Sequence, residues 1–223
     1  MLVNASRSLA AIFAVVLGVS IAQMATAGQV NTRAQLNALL GGGQTYEDFE
    51  ALNIPFAGQR SDGSGLLNSS SLFDGSGPGL VQPGVDYLAG RFFWNGNNYY
   101  GLNTQTLGDS TGWRNWQITL DYTTLVTAMG FDLQGYQGTS QVGTVSVYDL
   151  NNVLVSTTNA NGGFFGWEHA AGIGRVVVST QNSNSYMMID NHAYGVVPEP
   201  AALTLATLAL CGFRAFGHLR RKA

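Results

Sequence analysis

VGTVSVYDLNNVLVSTT (142–158) reads as two β-type runs, Val142–Leu150 and Val153–Thr158, on either side of Asn151-Asn152. Two turn-forming residues between two such runs specify a hairpin with a two-residue loop. Similar runs continue in both directions. Upstream lie Trp116–Leu120 (WQITL) and Leu125–Leu133 (LVTAMGFDL), the latter with Leu125, Met129, Phe131 and Leu133 on one parity and so on one face. Further upstream, Arg91–Trp94 and Tyr99-Tyr100 flank Asn95–Asn98, whose Asn-Gly composition predicts a second hairpin. Downstream come Phe164–Glu168, Ile173–Thr180 and Tyr186–Tyr194. Short strands spaced this evenly predict an all-β sandwich or barrel. One helix is expected over Thr32–Leu40, with a polar start, Leu36, Leu39 and Leu40 on one side, and Gly41–Gly43 as a stop. Ser61–Gly65 and Phe73–Gly77 share Asp-Gly-Ser-Gly, which is turn chemistry. A calcium loop would need alternating carboxylates over a longer stretch.

Composition agrees. Charged residues make up 10% of the 223-residue chain and glycine numbers 29. Low charge with many aromatics is the opposite of a disordered composition. Between Gly28 and Val197 there are five arginines, twelve acids and no lysine, a net of −7. Nucleic acid is excluded as a partner, because phosphate binding needs cationic clusters. Cys211 is the one cysteine, so no intramolecular disulfide can form. It lies in an apolar stretch, as a small helix residue would.

The two ends read as processing signals. Arg7 precedes the apolar run Leu9–Ala22, and Ala25-Thr26-Ala27 supplies a small-x-small pattern, so cleavage is expected before Gly28. The run has the length of a signal peptide's apolar region and is short for a membrane span. At the other end come Pro198-Glu199-Pro200, the apolar AALTLATLALCGF (201–213), Arg214, and the cluster Arg220-Arg221-Lys222. The paired prolines mark a boundary. Val196–Phe213 is just long enough to span as a helix, with the basic end held cytoplasmic.

This tail resembles the PEP-CTERM sorting signal, since its three parts occur in order over 197–223. The resemblance implies an exported protein that passes the translocon and signal peptidase. It further implies transient insertion through its C-terminal helix, then sorting by an exosortase to the cell surface or exopolysaccharide matrix of a bacterium. The implied organisation is a signal peptide (1–27), a β-sandwich domain (28–195) and a sorting signal (196–223). Tyr46–Glu50, Ala128–Leu133, Gly163–Trp167 and Ile189–Asn191 are similar, in that order, to the jelly-roll bodies found ahead of such tails and among carbohydrate-binding modules. That resemblance implies a structural calcium near the ends of the sandwich, with Glu50 (or Glu47 or Asp48) and Asp190 as ligands. Hard oxygen donors suit that ion, although two segments supply few of the 6–8 oxygens it takes.

The aromatics Trp94, Tyr99, Tyr100, Trp113, Trp116 and Tyr136 lie in Gly/Asn-rich sequence. Aromatic rings stack on the CH faces of sugars, and equally build β cores. Trp94, Tyr99, Tyr100 and Trp113 are the expected ligand contacts. Catalysis has little basis. Glycoside hydrolysis needs two positioned carboxyls, and G-x-S-x-G, HExxH and phosphate-loop motifs are absent. His169 and His192 stand isolated in sequence. The expectation is therefore a non-enzymatic surface or matrix protein with carbohydrate as the implied ligand. The alternatives are a structural or adhesive protein without sugar specificity and a polysaccharide-active enzyme.

Overall fold

The computed structural model describes residues 27–99, 102–109, 116–135, 143–180 and 187–198. Fourteen strands and one helix are assigned among them. The strands are β1 (Gly28–Val30), β2 (Thr45–Glu47), β3 (Gln59–Asp62), β4 (Leu66–Leu67), β5 (Val85–Leu88), β6 (Phe92–Asn95) and β7 (Thr106–Asp109). They continue with β8 (Gln117–Tyr122), β9 (Ala128–Gly135), β10 (Gly143–Asp149), β11 (Leu154–Ala160), β12 (Gly163–Glu168), β13 (Ile173–Thr180) and β14 (Met187–Gly195). The helix α1 (Arg33–Leu40) starts where the sequence places it. Thr32 Oγ1 accepts from Gln35 N and the Gln35 side chain accepts from Thr32 N, a reciprocal cap; Gly41 closes the helix at φ 59°.

The strands form two antiparallel sheets. One runs β1-β12-β9-β14-β7-β6-β3, with β2 also on β14; the other runs β11-β10-β13-β8-β5-β4. From β7 to β14 the chain switches sheets repeatedly: β7, β9, β12 and β14 lie in the first and β8, β10, β11 and β13 in the second. The main core lies between them. Alternation turns Met129, Phe131 and Leu133 of β9 inward to meet Val145 and Val147 of β10 and Val176 and Val178 of β13 in one buried cluster. Burying aliphatic side chains of this size contributes about 1.5–3 kcal/mol each before entropy is counted.

The hairpin at 142–158 forms as expected: Asp149 N donates to Val153 O around Asn151-Asn152, and Asn152 takes φ 61°. The second expected hairpin differs. β6 pairs with β7, Trp94 opposite Leu107, and Tyr99 is not in a strand. Turns at Tyr99 N→Gly96 O and Leu102 N→Tyr99 O draw the chain into a longer connection. Leu125 also departs from its parity, since β9 begins only at Ala128 and leaves it 52% exposed. The Asp-Gly-Ser-Gly echo is turn chemistry with a tertiary link: Asp62 accepts from Ser64 N and from Asp74 N.

The outer faces of the two sheets differ. On the first sheet, Leu36 and Leu40 of α1 pack with Val30, Ala128 and Ala193. The approach is close, for a Cβ on Gly130 would stand 2.7 Å from Phe164 Cζ and 2.9 Å from Leu36 Cδ2. Further along the same face Leu102, Trp116 and Met188 form a second buried layer with Phe93. The outer face of the six-stranded sheet has no buried apolar layer over it among the described residues.

Among the described residues no helix is long and apolar enough to cross a membrane. The expected signal peptide before Ala27 and the tail from Glu199 onward, with Pro200, Arg220, Arg221 and Lys222, lie outside the described residues, as does Ala25. Gly28, the residue after the expected cleavage point, opens β1 opposite Glu168.

Candidate functional site

The uncovered face is built by strand register. Outward residues of β11, β10, β13, β8, β5 and β4 line up as Thr157, Ser146, Val177, Thr119, Leu88 and Leu66. A neighbouring row is Leu154, Tyr148, Arg175, Asp121 and Asp86. A third is Asn159, Thr144, Ser179 and Gln117. The plate thus mixes hydroxyl, amide and charged groups with the aliphatics Val177, Leu88, Leu66 and Leu154, and holds one half-buried aromatic, Tyr148.

Beside Tyr148 the charges are fixed. Arg175 Nε and Nη2 donate to Asp121 Oδ1 and Oδ2 at 2.5 and 3.0 Å, a fork-to-fork pair, and Nη1 donates to Asn152 Oδ1 at 3.1 Å. That hydrogen bond to Asp121 raises the Arg175 pKa further above its already high value. Asp86 sits directly opposite Asp121, which would be repulsive. Arg175 takes up the charge of Asp121, and Asn68 Nδ2 donates to Asp86 at 3.0 Å. A tyrosine ring beside oriented guanidinium, carboxylate and hydroxyl groups can stack on an apolar ring face and bond the hydroxyls around it. The sequence carried a signal for this site, the alternation Thr144, Ser146, Tyr148 opposite inward Val145 and Val147. What identifies it is that no buried apolar layer lies over the face among the described residues, which only the sheet order reveals.

The expected ligand aromatics fare differently, and Trp94 is a correction. It is fully buried, packs edge-on against Phe49 and Phe73, and donates Nε1–H to Phe49 O at 2.6 Å. Its parity on β6 turns it into the core, so it has no face for a ligand. Tyr99 is half-buried in the β6–β7 connection, away from the bare sheet. Tyr100, Trp113 and Tyr136 lie outside the described residues. Trp116 is buried on the covered face.

The expected metal ligands do come together. The register of β14 slips by one residue between Asp190 and Ala193, at Asn191 with φ 50°. Alternation points Ile189 into the core and Asp190 out beside Asp132, and the extra residue turns His192 inward again. Glu50 reaches the same area. Thr104 Oγ1 and Gln105 N each donate to Glu50 Oε1 at 2.9 Å, and Gln105 Nε2 donates to Oε2 at 2.8 Å. Asp190 is fully buried and accepts from Asn191 N at 2.7 Å. Burial, opposed by the Asn191 and Thr104 hydrogen bonds and reinforced by Asp132 and Glu50, pushes its pKa up to about 7. Asp132 has its own cation: Arg33 Nη2 stands 3.1 Å from Oδ1, an ion pair without hydrogen-bond alignment. Among the described residues no group of three or more His, Cys, Asp or Glu side chains is arranged to hold a metal.

The other two early acids have separate duties. Glu47 is buried and accepts from Phe49 N and Gln82 N, both at 2.7 Å, holding Phe49 at φ 55°. Burial raises its pKa. Asp48 accepts from Glu50 N in a local turn. His192, isolated in sequence, is central in space. Tyr87 Oη and Tyr122 Oη sit 2.8 and 2.9 Å from Nδ1 and Nε2, and burial lowers its pKa to about 3. A neutral imidazole donates through one nitrogen and accepts through the other, so this pair of contacts is satisfied without charge. Its environment is core, so its role is structural.

No protein-family model matches the chain, and none of the curated proteins matches it. Solved structures do. The K2 cleaved adhesin domain of Lys-gingipain aligns at 11% identity and TM-score 0.34, over 69% of this chain and 99% of that one. A mutant of a family 29 carbohydrate-binding module aligns at 12% and 0.31, over 63% and 95%. Another, complexed with mannohexaose, aligns at 11% and 0.28, over 68% and 91%. Likeness at this level says nothing about ligand or residues here, so the functional reading rests on the geometry of the chain itself.

Proposed function

We propose that the body of this chain, about residues 28–197, is a non-enzymatic carbohydrate-binding protein of the cell envelope or its polysaccharide matrix. In this reading the chain is exported, cut before Gly28, inserted through the tail and passed to an exosortase-type enzyme. The connectivity of β7–β14 supports reading the sandwich as a jelly roll, with two Greek keys folded over each other. Binding takes place on the bare face of the six-stranded sheet. Tyr148 stacks on the sugar ring, and Arg175, Asp121 and the hydroxyl rows bond its edges.

The observation that carries this is the contrast in cover among the described residues: α1 and the Trp116 layer lie over one outer face, while the other presents hydroxyl and charged rows with one aromatic. An enzyme is the weaker reading. The carboxyl with a pKa near 7, Asp190, is fully buried and cannot reach a substrate. Calcium belongs to the proposal as a structural ion, with Asp190, Glu50 and Thr104 as oxygen donors. It would stabilise the ionised form of Asp190 and release Glu50 from Gln105.

The test is a glycan array probed with residues 28–197 and with the Tyr148→Ala variant. Binding to a defined set of glycans that the variant loses supports the reading. A correctly folded body that binds none of them supports a structural or adhesive protein instead.

A further inference from the structure

Nine large hydrophobic residues are exposed on the described body, and five of them, Leu125, Leu150, Val153, Leu154 and Val196, collect at one end. Each is between 45% and 59% exposed. Their proximity follows from the backbone. Leu150 and Val153 bracket the β10–β11 turn, and Leu154 opens β11. A Cβ on Gly172 would meet Leu150 Cδ1 at 2.6 Å and Leu125 Cδ1 at 3.2 Å, so those two side chains are neighbours over the β12–β13 turn. Two residues beyond Leu125, Thr127 N donates to Gly195 O and Thr127 Oγ1 accepts from Val197 N at 2.7 Å. Val196 is thereby held beside the same loop. The chain leaves the described body at this end, and the apolar run Ala201–Phe213 begins three residues after Pro198. Gly28 is at this end too, opposite Glu168.

A linker of three residues reaches about 10 Å at full extension. If Ala201–Phe213 enters a bilayer, the end of the body that carries these five aliphatics must lie at the lipid interface. We propose that Leu125, Leu150, Val153, Leu154 and Val196 form a lipid-facing foot that docks the body on the bilayer surface while the tail is inserted. This rests on the tail reading given above. Lipid suits the patch chemically, since it is aliphatic and two charges on the same strands are already engaged: Asp149 accepts from Asn151 N and Val153 N, and Arg175 is paired with Asp121. Attachment is therefore hydrophobic, insensitive to salt and independent of anionic lipid.

The single native cysteine makes the test direct. In full-length Cys211→Ser protein, a solvatochromic label is placed through Leu150→Cys or, as control, Asn161→Cys at the exposed far end of β11. Both are inserted in phosphatidylcholine vesicles carrying acyl-chain nitroxides, with protease protection reporting whether 201–223 is inserted. The expected result is a protected tail, a blue-shifted label at 150 quenched about threefold at a shallow interfacial depth of about 5–10 Å, and no change at 161 or in molar salt. A protected tail with position 150 behaving like 161 overturns the foot and leaves the tail reading intact. An unprotected tail overturns the tail reading and the foot with it. A blue shift without lipid quenching that disappears on diluting protein in lipid shows that a second copy covers the patch, and also overturns the proposal.

Discussion

The two outer faces of the sandwich are made from the same strand alternation and meet opposite fates. On the eight-stranded sheet the outward positions Gly130, Ala128, Ala193 and Met188 lie under α1 and the Trp116 layer, with the outward pair Asp132 and Asp190 on the same face. On the six-stranded sheet the outward positions include Thr144, Ser146, Tyr148, Arg175, Ser179 and Asp121, with Val177 and Leu88 among them, and no such layer lies over them among the described residues. Residues of the first face pack under buried side chains, and Tyr148 on the second stays half-buried at the surface. The aromatic content separates in the same way: Trp94 and Trp116 pack inside, while Tyr148 stays at the surface.

That division can be broken by substitution. Trp94→Ala removes a fully buried ring and its bond to Phe49 O, and should cost about 3–5 kcal/mol in urea unfolding. Leu36→Ala, beneath α1 on the covered face, should cost about 2–5 kcal/mol. Val177→Thr on the bare face should change stability by under about 0.5 kcal/mol. A cost at Val177 equal to that at Leu36 would show that the bare face is covered after all.

The buried titratable groups sharpen the comparison by their pH dependence. His192, neutral between two tyrosines, refuses a proton that the unfolded chain accepts, so its contribution is complete above about pH 6.5 and is lost as pH falls toward about 3. Asp190 keeps a proton that the unfolded chain releases, so its contribution is complete below about pH 4 and is lost as pH rises to about 7. Each slope is at most about 1.4 kcal/mol per pH unit, and between about pH 4 and 6.5 the two oppose each other. Asp190→Asn should therefore leave a stability that rises with pH across that window. His192→Gln should leave one that falls, with Glu47, whose pKa is also raised by burial, adding to the fall. Urea midpoints at pH 4.5 and 6.5 read both signs. Calcium should raise the melting temperature of residues 28–197 at pH 7 and do nothing for Asp190→Asn. An unchanged melting temperature in the parent protein would remove the ion.

Much of the fold was legible because alternation and turn chemistry are local. Asn151-Asn152, the polar start at Thr32 with its Gly41–Gly43 stop, and the run Ile173–Thr180 each carry their own signal. The β6–β7 pairing was not, because a ten-residue connection places a strand at Thr106 where no local pattern announces it. Glu50 and Asp190 were brought to one neighbourhood by the resemblance and by the ends of the sandwich meeting, but the extra residue at Asn191, which turns His192 inward, is a tertiary event. Trp94 illustrates the hardest case. A tryptophan beside Asn and Gly looks the same in sequence whether its parity faces core or solvent, and only the partner sheet decides.

Binding on the outer face of the six-stranded sheet requires that Tyr148 and Arg175 contact the ligand. The most direct measurement is calorimetric titration of residues 28–197, and of Tyr148→Ala and Arg175→Ala, with the glycan the array selects. Loss of at least about tenfold in affinity, about 1.4 kcal/mol, in each variant, with the melting temperature of Tyr148→Ala essentially unchanged, is the predicted result. Parent-like affinity in both variants would contradict it.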